Sequence, residues 1–451
     1  MSVAPGVPAS RESWGSRGAF VIAAIGAAVG LGNVWRFSYV AGEHGGATFL
    51  LVYVVAILLL GIPLVIAEVA VGRHSQADAV ESYRRIARSP LWVAPGAVGV
   101  LACFLVMTFY FVVAGWALKY LYGAVTGALW QRVAEGYGGY FAAFVADPWQ
   151  PVLWQFLMVL AAVTVVSAGV CGGIERLTRV VTPLLALIVA LLAVRSALLP
   201  GSGPGLAFLF RPDWSLLATP DIYLAAIGQA FFSLSLGMGL YVTYGSYLGP
   251  KHRLPGAVAM VVAGDTLMSV LAGIAIFPAV FAFGLDPASG PQLVFITLPQ
   301  VFLAMPAGQY VGVLFFFLLT AAALSASISG VEVVTSYAMR RLRWTRPKTA
   351  IAVGSAIFVT GIPASLGFGL WSDVTWQGRS ILESTDYLVS NVLLPLGGLL
   401  TALFVGWRWS APALAEARLQ ATRAGRLWIG LLRFVIPLLI VAIFLRAVGA
   451  I

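Results

Sequence analysis

The chain has 451 residues, of which 60% are hydrophobic and only 10% charged, with a mean hydropathy of +0.95. A soluble domain carries about 25% charged residues, so an ordinary soluble enzyme, a disordered regulator and a nucleic-acid binder are excluded. The excess of 27 Lys and Arg over 17 Asp and Glu marks loops on the inner face of a membrane, not an anionic partner. Two cysteines (Cys103, Cys171) and three histidines (His44, His74, His252) argue against a disulfide scaffold or a histidine-built metal centre.

Residues 1–17 read as a cytoplasmic N-terminal tail. The apolar run after it has no small-residue cleavage site behind a short core, so it reads as a retained span and not as a signal peptide. A bilayer core of about 30 Å takes about 20 apolar residues as helix. Eleven stretches are long enough: 18–40, 47–71, 95–124, 151–170, 177–199, 221–248, 256–284, 308–338, 349–367, 385–407 and 427–449. The alternating ~10-residue segments of a membrane barrel are missing. The segments assigned to the inside hold nineteen Lys and Arg, and the outer loops hold four, Arg132, Arg195, Arg211 and Arg379. The positive-inside rule then puts the N-terminus in the cytoplasm and, after eleven spans, the C-terminus outside a cell (inner) membrane.

Two spans carry glycine at mid-depth. The first contains Gly26, Gly30 and Gly32, followed by Asn33 and Arg36; the sixth contains Ser233, Ser235, Gly237 and Gly239. A glycine costs about 1 kcal/mol against alanine inside a helix. Small residues four apart also serve close helix packing, but polar groups beside both clusters favour deliberate breaks. Unwound backbone at membrane depth survives only where protein or a cavity satisfies it. Freed carbonyls then suit a hard cation, and half-helix N-termini suit a carboxylate.

The segments RESWGSRGAF, GAAVGLGNVWRF, GGATFLLVY and GIPLVIAEVAVGR, with GIERLTRVVTP, GQAFFSLSLGMG and AALSASIS further along, resemble the neurotransmitter:sodium symporter family from Arg11 to about Arg446. They look most like its bacterial eleven-helix members that carry hydrophobic amino acids. The resemblance implies an all-α polytopic membrane protein with two inverted five-helix repeats, spans 1–5 (18–199) and 6–10 (221–408). An outer loop (200–220) joins the repeats, and an inner loop with the eleventh span (409–451) follows them. It implies sodium-coupled uptake of hydrophobic or aromatic L-amino acids by alternating access, and no enzyme activity. A sodium-coupled carrier of a small amino acid or other amine is the alternative.

Site residues follow by position in the same resemblance. One sodium site is implied at the carbonyl of Ala28, the amide oxygen of Asn33, Ser233 and Asp265, closed by the substrate carboxylate. Oxygen donors are what such a cation needs. Asp265 stands where many members have Asn and Ser269 where chloride-dependent members place a hydroxyl, so the fixed carboxylate replaces chloride, which is not expected to be required. A second sodium site is implied at the carbonyls of Gly26, Val29 and Ala322 with the hydroxyl of Ser325. Its usual second hydroxyl is Ala326, which leaves the number of Na⁺ at one or two.

The substrate pocket is implied at Ala27, Leu31, Gly32, Val106, Tyr110, Phe232, Ser233, Ser235, Met238, Ala326 and Gly330. Tyr110 and the amides near Leu31 and Gly32 would hold the carboxylate, with an uncharged side-chain end at Met238, Ala326 and Gly330. Arg36 and Asp386 would form the outer gate. Arg11 and Trp14 match an inner latch whose acidic partner is replaced by Arg340, with Glu175 as a candidate substitute. Glu68 would accept amides freed in the sixth span, and Gly173 with Pro183 would let the inner end of the fifth unwind. Glu332 has no assigned role. A membrane enzyme lacks any catalytic constellation here, a channel lacks a continuous polar stripe, and a receptor on a transporter frame is told apart by liposome accumulation.

Overall fold

The computed structural model describes residues 13–131, 136–249, 254–288 and 293–447, and among them every regular element is helical. Arg11 of the expected latch lies outside the described residues, as do Arg132, Lys251 and Arg253 of the charge count. Among the described residues, nine unbroken helices are long and apolar enough to cross a membrane: Ala47–Ser75, Pro90–Thr126, Gln150–Ser167, Val170–Ala197, Leu254–Ala282, Gly308–Leu342, Arg346–Leu366, Ile381–Arg408 and Arg423–Arg446. The first span is the pair Gly18–Ala28 and Gly32–Glu43, bent by 50°. The sixth is divided too: Pro220–Ser233 and Leu240–Ser246 flank the non-helical residues 234–239.

The crossings differ from the sequence ranges mainly at their ends, because helix outlasts the apolar core where polar groups cap it. The tenth starts at Ile381, where Ser380 and Glu383 close a reciprocal capping box. Asp386, expected at the start of that span, therefore lies a turn and a half inside it. The connecting helix Ala79–Ala87 begins on Asp78, whose carboxylate accepts the amides of Val80 and Glu81.

Burial separates the divided crossings from the rest. From Ala19 to Gly42 every residue but Ile22 and Ile25 is buried, and from Ala226 to Leu248 every residue but Ser235. Broken backbone is thus surrounded by protein on all sides, the one setting at membrane depth where it holds. Each divided crossing opens a group of five, spans 1–5 and 6–10. Trp14, Arg84, Arg340 and Arg346 gather at one end of the bundle, the arginine-rich end, and Trp214, Trp371 and Trp376 sit at the opposite one.

Candidate functional site

The first break is short. Helix persists to Ala28, Val29 turns out to ψ 101°, and helix resumes at Leu31. The Gly30 N–H, which would have continued the ladder to Gly26, donates instead to Asn33 Oδ1 at 3.0 Å. The carbonyl of Gly26 is thereby released and accepts Ser325 Oγ at 2.7 Å. Orphaned carbonyls of a last helical turn take outside partners in this way. Val29 and Ala322, the other two residues of the implied second ion site, are fully buried nearby. Ala326 faces elsewhere, into the central cavity, so one hydroxyl supplies this group.

The second break takes Ser235, Gly237 and Gly239 to φ values of +53°, +74° and +73°. At Gly237 a Cβ would lie 2.2 Å from the carbonyl oxygen of Leu394, so no side chain fits. The Gly237 N–H, freed by the break, donates to Glu68 Oε1 at 2.8 Å.

Between the breaks lies a buried polar cluster. Asn33 Nδ2 donates to Asp265 Oδ1 at 2.7 Å, Ser269 Oγ at 2.9 Å and Ser233 Oγ at 3.1 Å. Ser233 Oγ donates to Asp265 Oδ2 at 2.8 Å. The hydroxyl of Tyr53 donates to Ser233 Oγ at 3.1 Å. The implied ligands Asn33, Ser233 and Asp265 are therefore in mutual contact. One detail departs from expectation: Asn33 presents its nitrogen to the cluster and its oxygen to Gly30. Ligation of a cation by the amide oxygen takes a rotation of that amide, which would deprive the Gly30 N–H of its acceptor. Tyr53 and Gln229 went unnoticed in the sequence, although each is a polar group in an apolar run and Gln229 stands one turn before Ser233.

The central cavity, about 30 Å³, is walled by both breaks and by spans 3, 8 and 10. Of the expected pocket residues, Ala27, Gly32, Val106, Tyr110, Phe232, Ser235, Met238, Ala326 and Gly330 line it. Leu31 contributes its backbone, donating N–H to the Tyr110 hydroxyl at 2.9 Å, and Ser233 turns to Asp265. Met107, Leu240 and Leu394 also line the cavity; an apolar residue in an apolar helix carries no signal that would have found them. No charged side chain reaches the wall.

Above the cavity, Phe232 lies under the Arg36 guanidinium, 4.8 Å from ring centroid to Cζ. Arg36 Nη1 donates to Gln229 Oε1 at 2.9 Å, and Gln229 Nε2 donates to the Gly32 carbonyl at 2.8 Å. Arg36 and Asp386 approach to 3.9 Å. Both face a vestibule of about 680 Å³ at the end opposite the arginines.

The arginine-rich end is closed by a different set of contacts. Trp14 Nε1 donates to the Tyr244 carbonyl at 2.9 Å, and the Gly15 N–H donates to Glu175 Oε2 at 3.0 Å. Glu332 is fully buried, accepts the Tyr247 hydroxyl at 2.6 Å and pairs with Arg346 at 2.6 Å. Arg340, at the place of the missing acid, pairs with Asp78 at 2.5 Å and reaches Glu81 at 3.8 Å. Burial lifts the Asp78 carboxyl above its ordinary range, against the pull of the Glu81 amide and Arg340. The fifth span is helical from Val170 to Ala197 with Pro183 inside it, so its inner end near Gly173 is wound in this conformation. Its first turn, Val170–Glu175, is π-helical, wider than an α turn.

The model of the "Sodium:neurotransmitter symporter family" matches residues 11–138 and 147–451. The uncharacterized sodium-dependent transporter YhdH of Bacillus subtilis is 40% identical over 442 residues, 97% of each chain. An uncharacterized sodium-dependent transporter of Haemophilus influenzae is 34% identical over 451 residues, 96% of this chain and 98% of its own. Among solved structures, the crystal structure of MhsT in complex with L-phenylalanine superposes with a TM-score of 0.93 at 51% identity, covering 97% of this chain and 99% of that one.

Proposed function

Because the chain belongs to the sodium:neurotransmitter symporter family, and so is a sodium-dependent, membrane-embedded transporter of a small molecule and not an enzyme, we propose that it imports hydrophobic and aromatic L-amino acids. The carrying observation is the central cavity. The Tyr110 hydroxyl and the Leu31 amide that donates to it offer partners for a head group, and apart from Ser235 the remaining side chains of the wall are apolar, among them Val106, Met107, Met238, Leu240 and Leu394. A carboxylate meets polar partners there, and an apolar side chain meets a largely apolar wall. The likeness to MhsT with bound L-phenylalanine points the same way.

In this reading the cluster of Asn33, Ser233 and Asp265 with the Ala28 carbonyl holds one Na⁺. The carbonyls of Gly26, Val29 and Ala322 with Ser325 hold a second, more weakly for want of a hydroxyl at 326. Asp265 supplies the fixed negative charge, so transport proceeds without chloride. Arg36 and Asp386 gate the outer side, and the arginine-rich end faces the cytoplasm of the cell membrane. The repeats span 18–199 and 221–408. Each net charge carried inward gains about 2.3 kcal/mol per 100 mV, enough at that potential to sustain a gradient of nearly fifty-fold.

The test is uptake of labelled Trp and Leu by purified protein in liposomes under an inward Na⁺ gradient, competed by a panel of amino acids. Accumulation that requires Na⁺ and is displaced by Trp, Phe and Leu is expected. The alternative cargo is a small amino acid or other amine. Displacement by glycine or an amine, with none by Trp, would establish that alternative.

A further inference from the structure

Gly330 leaves a gap in the wall of the cavity, and another side chain has filled it. A Cβ built on Gly330 would lie 2.6 Å from both Sδ and Cε of Met107 and 3.1 Å from its Cγ. The thioether tip of the third span thus occupies the space that a side chain on the eighth would take. Met107 is buried and lines the cavity beside Ala326 and Gly330. One turn earlier on the same face, Cys103 Sγ donates to the Gly330 carbonyl at 3.3 Å, which ties the two backbones together at this level. The gap therefore belongs to the side chain of Met107.

With the thioether of Met107 lodged over Gly330, a large apolar side chain enters only where a wall gives way. Tyr110 is fixed by the Leu31 amide and Phe232 lies beneath Arg36. Backbone forms the wall at Gly30, Gly32 and Gly330. Methionine has three rotatable bonds and a soft thioether, and it adapts to irregular space more readily than branched or aromatic residues.

We infer that Met107 determines substrate size: the rotation of its thioether out of the space over Gly330 sets how large a side chain the pocket accepts. This rests on the reading of the cargo as an apolar amino acid. Gly330 is permissive only because Met107 vacates the space above it. A one-methylene change in such a pocket is worth roughly ten- to two-hundred-fold in discrimination, so variants at 107 should reorder substrates and not scale them together.

The test measures competition constants for Val, Leu, Phe and Trp against labelled Leu in proteoliposomes. Met107→Ala is expected to improve Trp relative to Val by about tenfold. Gly330→Ala, which drives the thioether into the cavity, is expected to worsen that ratio by about as much. The double variant should return near the wild-type ratio, since the two changes act on one space. Met107→Leu keeps the volume with fewer rotors. It is expected to retain Val and to lose Trp, and it keeps the test decisive should the alanine variant fold poorly. Ratios unchanged within about twofold in Met107→Leu and in whichever alanine variants fold would overturn the inference. If the wild-type protein takes none of the four amino acids, the cargo reading has failed instead.

Discussion

At the scale of single residues, two positions separate this chain from the pattern it otherwise follows. Asp265 puts a full charge in a cluster made of Asn33, Ser233, Ser269 and Tyr53. A bound Na⁺ needs a nearby negative charge in so apolar a setting, and in the proposed function this carboxylate supplies it. Replacing chloride with gluconate should leave wild-type uptake unchanged. Asp265→Asn keeps the shape and removes the charge; its uptake should fall about tenfold or more, the size of effect expected on losing a charged hydrogen-bond partner, and any residual uptake should then depend on chloride. Wild-type uptake that collapses in gluconate would refute the reading. Ala326 is the second position. Ser325 already binds the released Gly26 carbonyl at 2.7 Å, and Ser325→Ala should raise the sodium concentration for half-maximal uptake by about five- to fifty-fold. That Asn33, Ser233 and Asp265 lie together was implied by the family resemblance of the sequence. The orientation of the Asn33 amide was not, since it depends on which backbone N–H the break sets free.

Elements hold these residues in place through two interruptions that differ in kind. The first is a two-residue bend with helix on both sides; the second is a six-residue loop, 234–239, that enters left-handed backbone three times. Glycine at 237 meets both a conformational and a steric demand, because a Cβ would abut the Leu394 carbonyl. Gly237→Ala should therefore destabilise the protein by about 2–4 kcal/mol, adding left-handed strain to overpacking. Gly284 has a similar φ of +67° but nothing near its would-be Cβ. Gly284→Ala should lose only the backbone share, about 1 kcal/mol. Thermal unfolding of both variants in detergent, followed by tryptophan fluorescence, compares them; equal shifts would mean that the Leu394 contact contributes nothing. Glycine clusters beside polar residues made both interruptions legible, since helix at membrane depth has few reasons to accept them. The length of each was not, because flanking contacts from Glu68 and Leu394 decide how far the backbone unwinds. The fifth span shows the converse: Gly173 and Pro183 are suited to unwinding, yet packing keeps the segment helical in this conformation.

Across the whole molecule, the two ends are closed to different degrees. A vestibule of about 680 Å³ reaches down from one side to Arg36, whose guanidinium lies over Phe232. On the other, a pocket of about 360 Å³ stops at Tyr247, Ser246 and Arg346. Composition and charge placement gave the crossings and the arginine-rich end, because both are one-dimensional properties. Pairings across that end join residues far apart in sequence, such as Tyr247 with Glu332 or Arg340 with Asp78, and no local pattern encodes them. Their arrangement yields a further expectation. Glu332 has no exposed surface, and Arg346 is mostly covered, so removing the carboxylate leaves a guanidinium short of its partner. Breaking a buried pair by taking away one member costs about 3–5 kcal/mol, and a conformation that hydrates the Arg346 guanidinium more fully recovers part of it. Glu332→Gln should therefore shift the population towards opening at the arginine-rich end. With Cys103 and Cys171 replaced by serine, Ser246→Cys supplies a reporter that is 2% exposed in this conformation. Its reaction with a membrane-impermeant thiol reagent should speed up about tenfold or more in Glu332→Gln, since each 1.4 kcal/mol recovered is a factor of ten in population. Sodium, by favouring the state in which both ion groups are assembled, should slow that reaction again. An unchanged labelling rate would mean that the Glu332–Arg346 pair supports the fold without holding this end shut.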